Sequence, residues 1–265
     1  MAQLAGIPIL LYHRIVADRR SVGKLGWRSR KYVLTADVFK RQVQLLSQEK
    51  IKSSSLADLF AGRAGGTDAS VIITFDDGNK SDYLFAYPLL AGLGLRGEFF
   101  ITTNLVGKEG YLDWNDILEM HRGGMRFQSH AADHIDLRQQ AEPALRRQLE
   151  VSKRVLEDKL GAEVSFLALP YGLFNRRVLK MAQTVGYRGV CSSRYWPAKP
   201  CSPLMGRVAV QWETSLWSFR KMVQKDPFFY LTVRGWRALW GRASTLARRL
   251  VPGYLEPSRS HSSVA

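Results

Sequence analysis

Apolar residues fall along this chain in short unbroken runs, separated by longer segments in which they return every three or four positions. Runs at 7–12, 71–75, 98–102, 166–169 and 189–192 read as strands, the one at 71–75 as a parallel strand buried on both faces, and 126–129 reads as extended. Between them lie helical patterns. Thr35 caps a helix whose apolar side is Phe39, Val43, Leu45 and Leu46, and another runs over 82–93 with Pro88 kinking it. Further helices are expected over 114–121, 143–160 and 176–185, with Asp113 as an N-cap and Gly161 as a stop. Residues 14–31 read as a long basic loop, and 61–67 as a glycine-rich turn. Strand and helix alternate, which is the pattern of parallel βα units.

At 265 residues, 46% of them hydrophobic, the chain is long enough for one full α/β core. No apolar stretch approaches the roughly 20 residues that cross a bilayer. The first residues lack a basic lead and enter a core strand directly. We therefore expect no signal peptide and a cytoplasmic place, or a peripheral one on the cytoplasmic face of the membrane. Cys191 and Cys201 lack metal-ligand spacing and are expected as free thiols. The net charge of +16 favours polyanionic partners such as nucleic acid, anionic lipid or acidic glycan.

Chemistry concentrates at three predicted strand ends. Asp76-Asp77 closes Thr74-Phe75-Asp76-Asp77-Gly78, His130 and His134 share Ser129-His130-Ala131-Ala132-Asp133-His134, and Pro170-Tyr171-Gly172 follows the run at 166–169. In α/β barrels and open sheets the carboxyl ends of strands form the active rim. One aspartate and two histidines suffice to hold a divalent cation with positions left open, while the second aspartate is left to move protons. That is a hydrolase in outline.

These three motifs, in this order, resemble the polysaccharide deacetylase family, the homology domain of nodulation-type chitooligosaccharide deacetylases. The resemblance covers about residues 7 to 212 and includes Ala86-Tyr87-Pro88-Leu89-Leu90 and Glu98-Phe99-Phe100-Ile101. It implies an irregular (β/α) barrel, a carbohydrate esterase that removes N-acetyl or O-acetyl groups from sugars by attack of metal-bound water. It also implies Asp77, His130 and His134 as metal ligands and Asp76 as general base. Tyr171, with Pro170, would present a backbone N–H to the oxyanion and a ring to the sugar. The metal would be zinc, with cobalt, nickel or iron fitting the same donors. Trp114 would border the cleft, and Thr74, Ser129 and Asp136 would be supporting or turn residues.

Two departures from the family pattern stand out. The arginine that often precedes Pro-Tyr-Gly is replaced by Leu167-Ala168-Leu169, and the late Leu-x-His motif that supplies a general acid is missing. His13, at the end of the first strand, is the candidate acid because barrel closure would bring it beside the last strand.

Beyond the expected barrel at 1–217, residues 218–251 read as a basic amphipathic helix. Eight Lys or Arg face one acid, Asp226, over 220–251, and Trp236 and Trp240 lie on a helical stripe with Phe229 and Val233. Such a helix packs on the barrel, docks on an anionic membrane through 228–250, or binds nucleic acid. A disordered tail is expected over 252–265. The substrate expected is an acetylated glycan or lipid-linked saccharide in envelope or exopolysaccharide assembly. The alternatives are a non-catalytic glycan-binding barrel and a basic nucleic-acid-binding protein, the latter without a recognisable binding motif.

Overall fold

The computed structural model describes residues 3–23, 30–64, 69–233 and 235. Among them, nine strands form one all-parallel sheet in the order β10-β9-β8-β7-β6-β5-β1-β11, with β4 beside β5. The strands are β1 (Ile9–Tyr12), β4 (Lys52–Ser53), β5 (Ser70–Phe75), β6 (Gly97–Ile101), β7 (Arg126–Ser129), β8 (Phe166–Ala168), β9 (Gly189–Ser192), β10 (Leu204–Gly206) and β11 (Val208–Ala209). β10 pairs with β9 while β11 pairs with β1. Residues 204–209 thus span the two edges of the sheet and bring it to a nearly closed barrel.

Alternation along each strand divides the core. Leu10, Tyr12, Val71, Ile73, Phe75, Phe99, Ile101 and Leu167 join the large cluster under the helices. Ile9, Ile72, Phe100, Phe166, Ala168 and Cys191 make a second cluster inside the barrel. Successive side chains on a strand point to opposite faces, so this split is a direct consequence of the pleat. The outer cluster stacks aromatic rings, with Phe75 and Phe99 centroids 4.8 Å apart at 9°.

The helices are α1 (Arg19–Gly23), α2 (Ala36–Gln48), α3 (Leu56–Phe60), α4 (Tyr87–Gly92), α5 (Trp114–Arg122), α6 (Glu142–Leu160), α7 (Arg176–Thr184) and α8 (Leu216–Val223). Their ends follow local chemistry. Thr35 Oγ1 accepts from the Val38 N–H, Asp113 and Asp116 form a reciprocal capping box, and Gly161 ends α6 at φ +62°.

Several expectations need correction. The basic stretch after His13 is not an irregular loop throughout: β2 (Arg14–Val16) pairs in parallel with β3 (Val33–Thr35), and α1 lies between them. The helix expected over 82–93 is two pieces, a π turn at Asp82–Ala86 running into α4, with Pro88 in the first turn. Proline has no N–H for the ladder, which favours such a break. The basic C-terminal segment is also not one helix. α8 already covers the boundary expected at 217, Lys225 stands at φ +56°, and a second helical stretch occupies 227–233. α8 is packed on the barrel by Phe219, Met222 and Val223, and Arg220 pairs with Glu49 at the end of α2. Most of the expected Trp/Arg stripe and the tail at 252–265 lie outside the described residues. Both cysteines are free thiols, Cys191 buried and Cys201 exposed.

Candidate active site

Strand parity aims three chains of residues into the barrel mouth. Ile72 and Thr74 face inward, so Asp76 does too; by the same count of two, Ile9 leads to His13 and Gln128 to His130. Directly after Asp76 the backbone turns into the left-handed region at Asp77, φ +78°. This unfavourable conformation for a residue with a Cβ swings the second carboxylate onto the rim.

There it meets both histidines. Nε2 of His130 and Nε2 of His134 each lie 3.5 Å from Asp77 Oδ1, and the three ligand atoms fall within 4.8 Å of one another. Two donors about 2.1 Å from a shared tetrahedral cation sit about 3.4 Å apart, so the spacing fits. Asp77 Oδ1 is buried and receives no hydrogen bond among the described residues, as an oxygen reserved for a cation would. His130 Nδ1 sits 2.9 Å from the Ala168 carbonyl. That bond places the proton on Nδ1 and turns Nε2 toward Asp77. Burial opposes ionisation of Asp77, yet His130, His13 and His134 outweigh it and hold its carboxyl well below the usual range. The His134 imidazole is pushed toward its neutral form by burial and by His130.

Asp76 has a different partner. Arg207 Nη1 lies 2.6 Å from Asp76 Oδ1 and Nη2 2.7 Å from Oδ2, in a two-pronged pair buried on both sides. Arg207 comes from between β10 and β11, where the barrel closes. Its Nη1 also reaches Thr74 Oγ1 at 3.4 Å, and its guanidinium lies 5.2 Å from the Phe100 ring centroid. Burial alone would raise the Asp76 pKa; Arg207 and His130 bring it down instead. Asp76 Oδ2 is 3.9 Å from His130 Nε2, so this Arg207-held carboxylate adjoins the triad.

The family model described as polysaccharide deacetylase matches residues 63–190, which contain all three motifs. Over this segment the chain is similar to the polysaccharide deacetylase family. The Bacillus subtilis protein YxkH, named for this family, is 26% identical over 191 residues, covering 69% of this chain and 63% of its own length. A poly-beta-1,6-N-acetyl-D-glucosamine N-deacetylase of Staphylococcus aureus is 25% identical over 175 residues, covering 60% of each chain. The chain thus spans about three-fifths of the length of these curated relatives. Among solved structures, a Streptococcus pyogenes deacetylase, PplD, in complex with acetate superposes with a TM-score of 0.75 at 23% identity, covering 84% of this chain and 99% of the other. IcaB of Ammonifex degensii superposes at 0.72 with 25% identity, covering 84% and 97%. The deacetylase barrel is the fold shared with both.

The remaining expected positions divide. Within the matched segment Pro170–Gly172 forms a 3-10 turn, with Tyr171 at φ +60°. The Tyr171 hydroxyl donates to the His134 carbonyl at 3.1 Å, and its ring meets the His134 ring edge-on at 4.4 Å. More than half exposed, that ring borders the triad on its open side. His13 is half-buried, with its Nδ1 buried and without a hydrogen-bond partner among the described residues. Burial lowers its pKa, and the Asp77 and Asp76 charges push back. Its ring packs 4.8 Å from Tyr32. Trp114 turns elsewhere: it packs on the outer core, with Lys159 Nζ 5.6 Å over its ring. Among its described contacts none reaches the triad. Asp136 caps the turn at Leu137–Gln139 and pairs with Arg138.

Sequence reading missed two residues. One is Arg207, the charge partner of Asp76. Its only signal was a lone basic residue inside the apolar run Leu204-Met205-Gly206-Arg207-Val208-Ala209-Val210. The other is Asp82 in the π turn, fully buried, with neither carboxyl oxygen hydrogen-bonded among the described residues. Burial, then the Asp77 and Asp76 charges, push its pKa well above the usual carboxylate range.

Proposed function

We propose that this chain is a metal-dependent hydrolase that removes N-acetyl groups from a saccharide, with O-acetyl groups as the lesser alternative. The observation that carries the reading is the pairing on one rim of a ligand-spaced Asp77–His130–His134 cluster with a separately held carboxylate, Asp76. A divalent cation bound by that cluster supplies Lewis-acid polarisation of the acyl carbonyl and acidifies a water molecule. Asp76, fixed at both oxygens by Arg207, takes the proton from the attacking water. The Tyr171 N–H faces the developing oxyanion. His13 donates the proton that lets the amine depart as the C–N bond breaks, leaving acetate and a free amino sugar. Zinc is the cation the donor set favours, with cobalt, nickel and iron as its competitors.

A β-linked N-acetylglucosamine polymer is the first substrate to try, on the strength of the Staphylococcus aureus relatives. Acetate release from acetylated glucosamine oligomers, abolished by a chelator and restored by zinc, is the expected result. Stoichiometric metal with no acetate released from any acetylated glycan would favour the glycan-binding alternative.

We also propose peripheral attachment to an anionic membrane through 228–250. Among the described residues no helix is long and apolar enough to cross a membrane. Phe228 and Leu231 are 78% and 58% exposed and lead into a stretch with five arginines, from Arg234 to Arg249. Co-sedimentation with phosphatidylglycerol vesicles should be lost on truncation after residue 226; equal sedimentation of both proteins would refute it.

A further inference from the structure

The two histidines of the cluster are held by different means. His130 is fixed at its ring, where Nδ1 meets the Ala168 carbonyl, and at its backbone, whose N–H donates to the Ile101 carbonyl at 2.9 Å. His134 comes later on the loop after β7, and its side chain is 30% exposed. Between the two the backbone enters the left-handed region at Ala131, φ +65°. A ligand carried on such a loop is placed only as well as the backbone beneath it.

One face of α6 supplies that hold. Gln148 and Ser152 stand one turn apart on this helix, so their side chains point the same way. The Ser152 hydroxyl lies 2.9 Å from the Ser129 hydroxyl, both fully buried, and Ser129 Oγ accepts from the Ala131 N–H at 3.2 Å. One turn earlier, Gln148 Oε1 accepts from the Asp133 N–H at 2.8 Å while Gln148 Nε2 donates to Asp133 Oδ2 at 2.7 Å. The Gln148 carbonyl also accepts from the Ala132 N–H at 3.0 Å. From the other side Asn104 Nδ2 donates to Asp133 Oδ1 at 2.7 Å, and the Asn104 N–H donates to the Ala132 carbonyl at 2.9 Å. Five hydrogen bonds from Gln148 and Asn104 thus converge on the two residues before His134. A turn that only reversed the chain would close with a single backbone bond.

We infer that Gln148 and Asp133, braced by Asn104, are positioning residues for His134. They hold the loop so that His134 Nε2 stays 3.5 Å from Asp77 Oδ1, and they do so without touching the cation. The inference deepens the metal-dependent reading above and rests on it.

Zinc affinity of the full-length protein, measured by competition with a chromophoric chelator, tests this without turnover. Gln148→Met keeps the length of the side chain and loses both amide groups. It should weaken zinc binding by about tenfold or more, as should Asp133→Ala. Asp133→Asn still accepts from Gln148 and can offer its NH2 to a turned Asn104 amide, so it should bind zinc as the parent does. Urea unfolding of the zinc-free proteins separates the roles: a residue that only supports the loop shifts the midpoint and leaves zinc affinity alone. Should Gln148→Met fail to fold, Asn104→Ala, at an exposed position, takes its place with the same expected loss. Parental zinc affinity in these variants would overturn the inference whatever their stability, and so would a loss in Asp133→Asn equal to that in Asp133→Ala. A parent protein that takes up no zinc would sink the metal-dependent reading and the inference together. Zinc binding that weakens in the variants, with no acetate released from any substrate, would leave the positioning role standing and remove the deacetylase reading.

Discussion

Arg207 and Asp76, 131 positions apart, share two short hydrogen bonds inside the mouth of the barrel. The pair is almost wholly shielded from water. In that setting each charge depends on the other, because an unpaired buried ion keeps its desolvation cost without compensation. Asp76 is thereby kept ionised, and its oxygens are fixed where they border the His130 and Asp77 cluster.

Replacing Arg207 by alanine should therefore act twice. Stability should fall by about 3 to 5 kcal/mol, read by urea unfolding, as Asp76 loses its partner. Arg207 depresses the Asp76 pKa, so its removal raises that pKa, and the acid limb of the rate profile should move to higher pH. Full stability together with an unmoved acid limb would mean that Arg207 does not govern Asp76.

Asp77→Asn and His134→Ala should each abolish stoichiometric metal uptake, measured by elemental analysis after dialysis against zinc. Zinc at about 100 times its dissociation constant should stabilise the parent protein by about 2.7 kcal/mol, and the variants should show no such gain. A variant that still melts higher in zinc would place the cation elsewhere.

His13→Ala should reduce turnover by about 100-fold or more, within the range for a lost acid or base, while metal content stays unchanged. Turnover near that of the parent protein would remove His13 from the reaction.

Glu98 gives a pH signature unrelated to catalysis. It is buried in β6 and accepts from the Leu56 N–H at 2.6 Å, while its other oxygen has no partner among the described residues. Burial pushes its pKa from 4.5 to about 7. The folded state thus keeps a proton that the unfolded chain releases, so stability should decline as pH rises from about 4.5 to about 7, by about 3 kcal/mol. Glu98→Gln should flatten that part of the profile in chemical unfolding at stepped pH. An unchanged slope in the variant would mean that Glu98 titrates normally.

Much of this was legible along the chain because it is decided within a few residues. The capping oxygens of Thr35 and Asp113, the left-handed stop at Gly161 and the apolar run of β5 depend on neighbours one turn away. The order of the three motifs marked the strand ends where Asp77, His130 and His134 meet. The lobe after His13 was missed because β2 is only three residues long and finds β3 across a basic stretch with no periodicity. Lys52–Ser53 is shorter still, and only its pairing with β5 makes it a strand.

By itself the sequence determined most of the element types, the inward parity of Asp76, His13 and His130, and the identity of the metal-ligand candidates, since each follows from backbone chemistry and side-chain alternation nearby. Tertiary structure alone decided that Arg207 would serve Asp76 and that Trp114 would face Lys159. Those outcomes depend on barrel closure, in which the strand pairs β9–β10 and β1–β11 bring distant residues into a low-dielectric interior where a charge must find a partner.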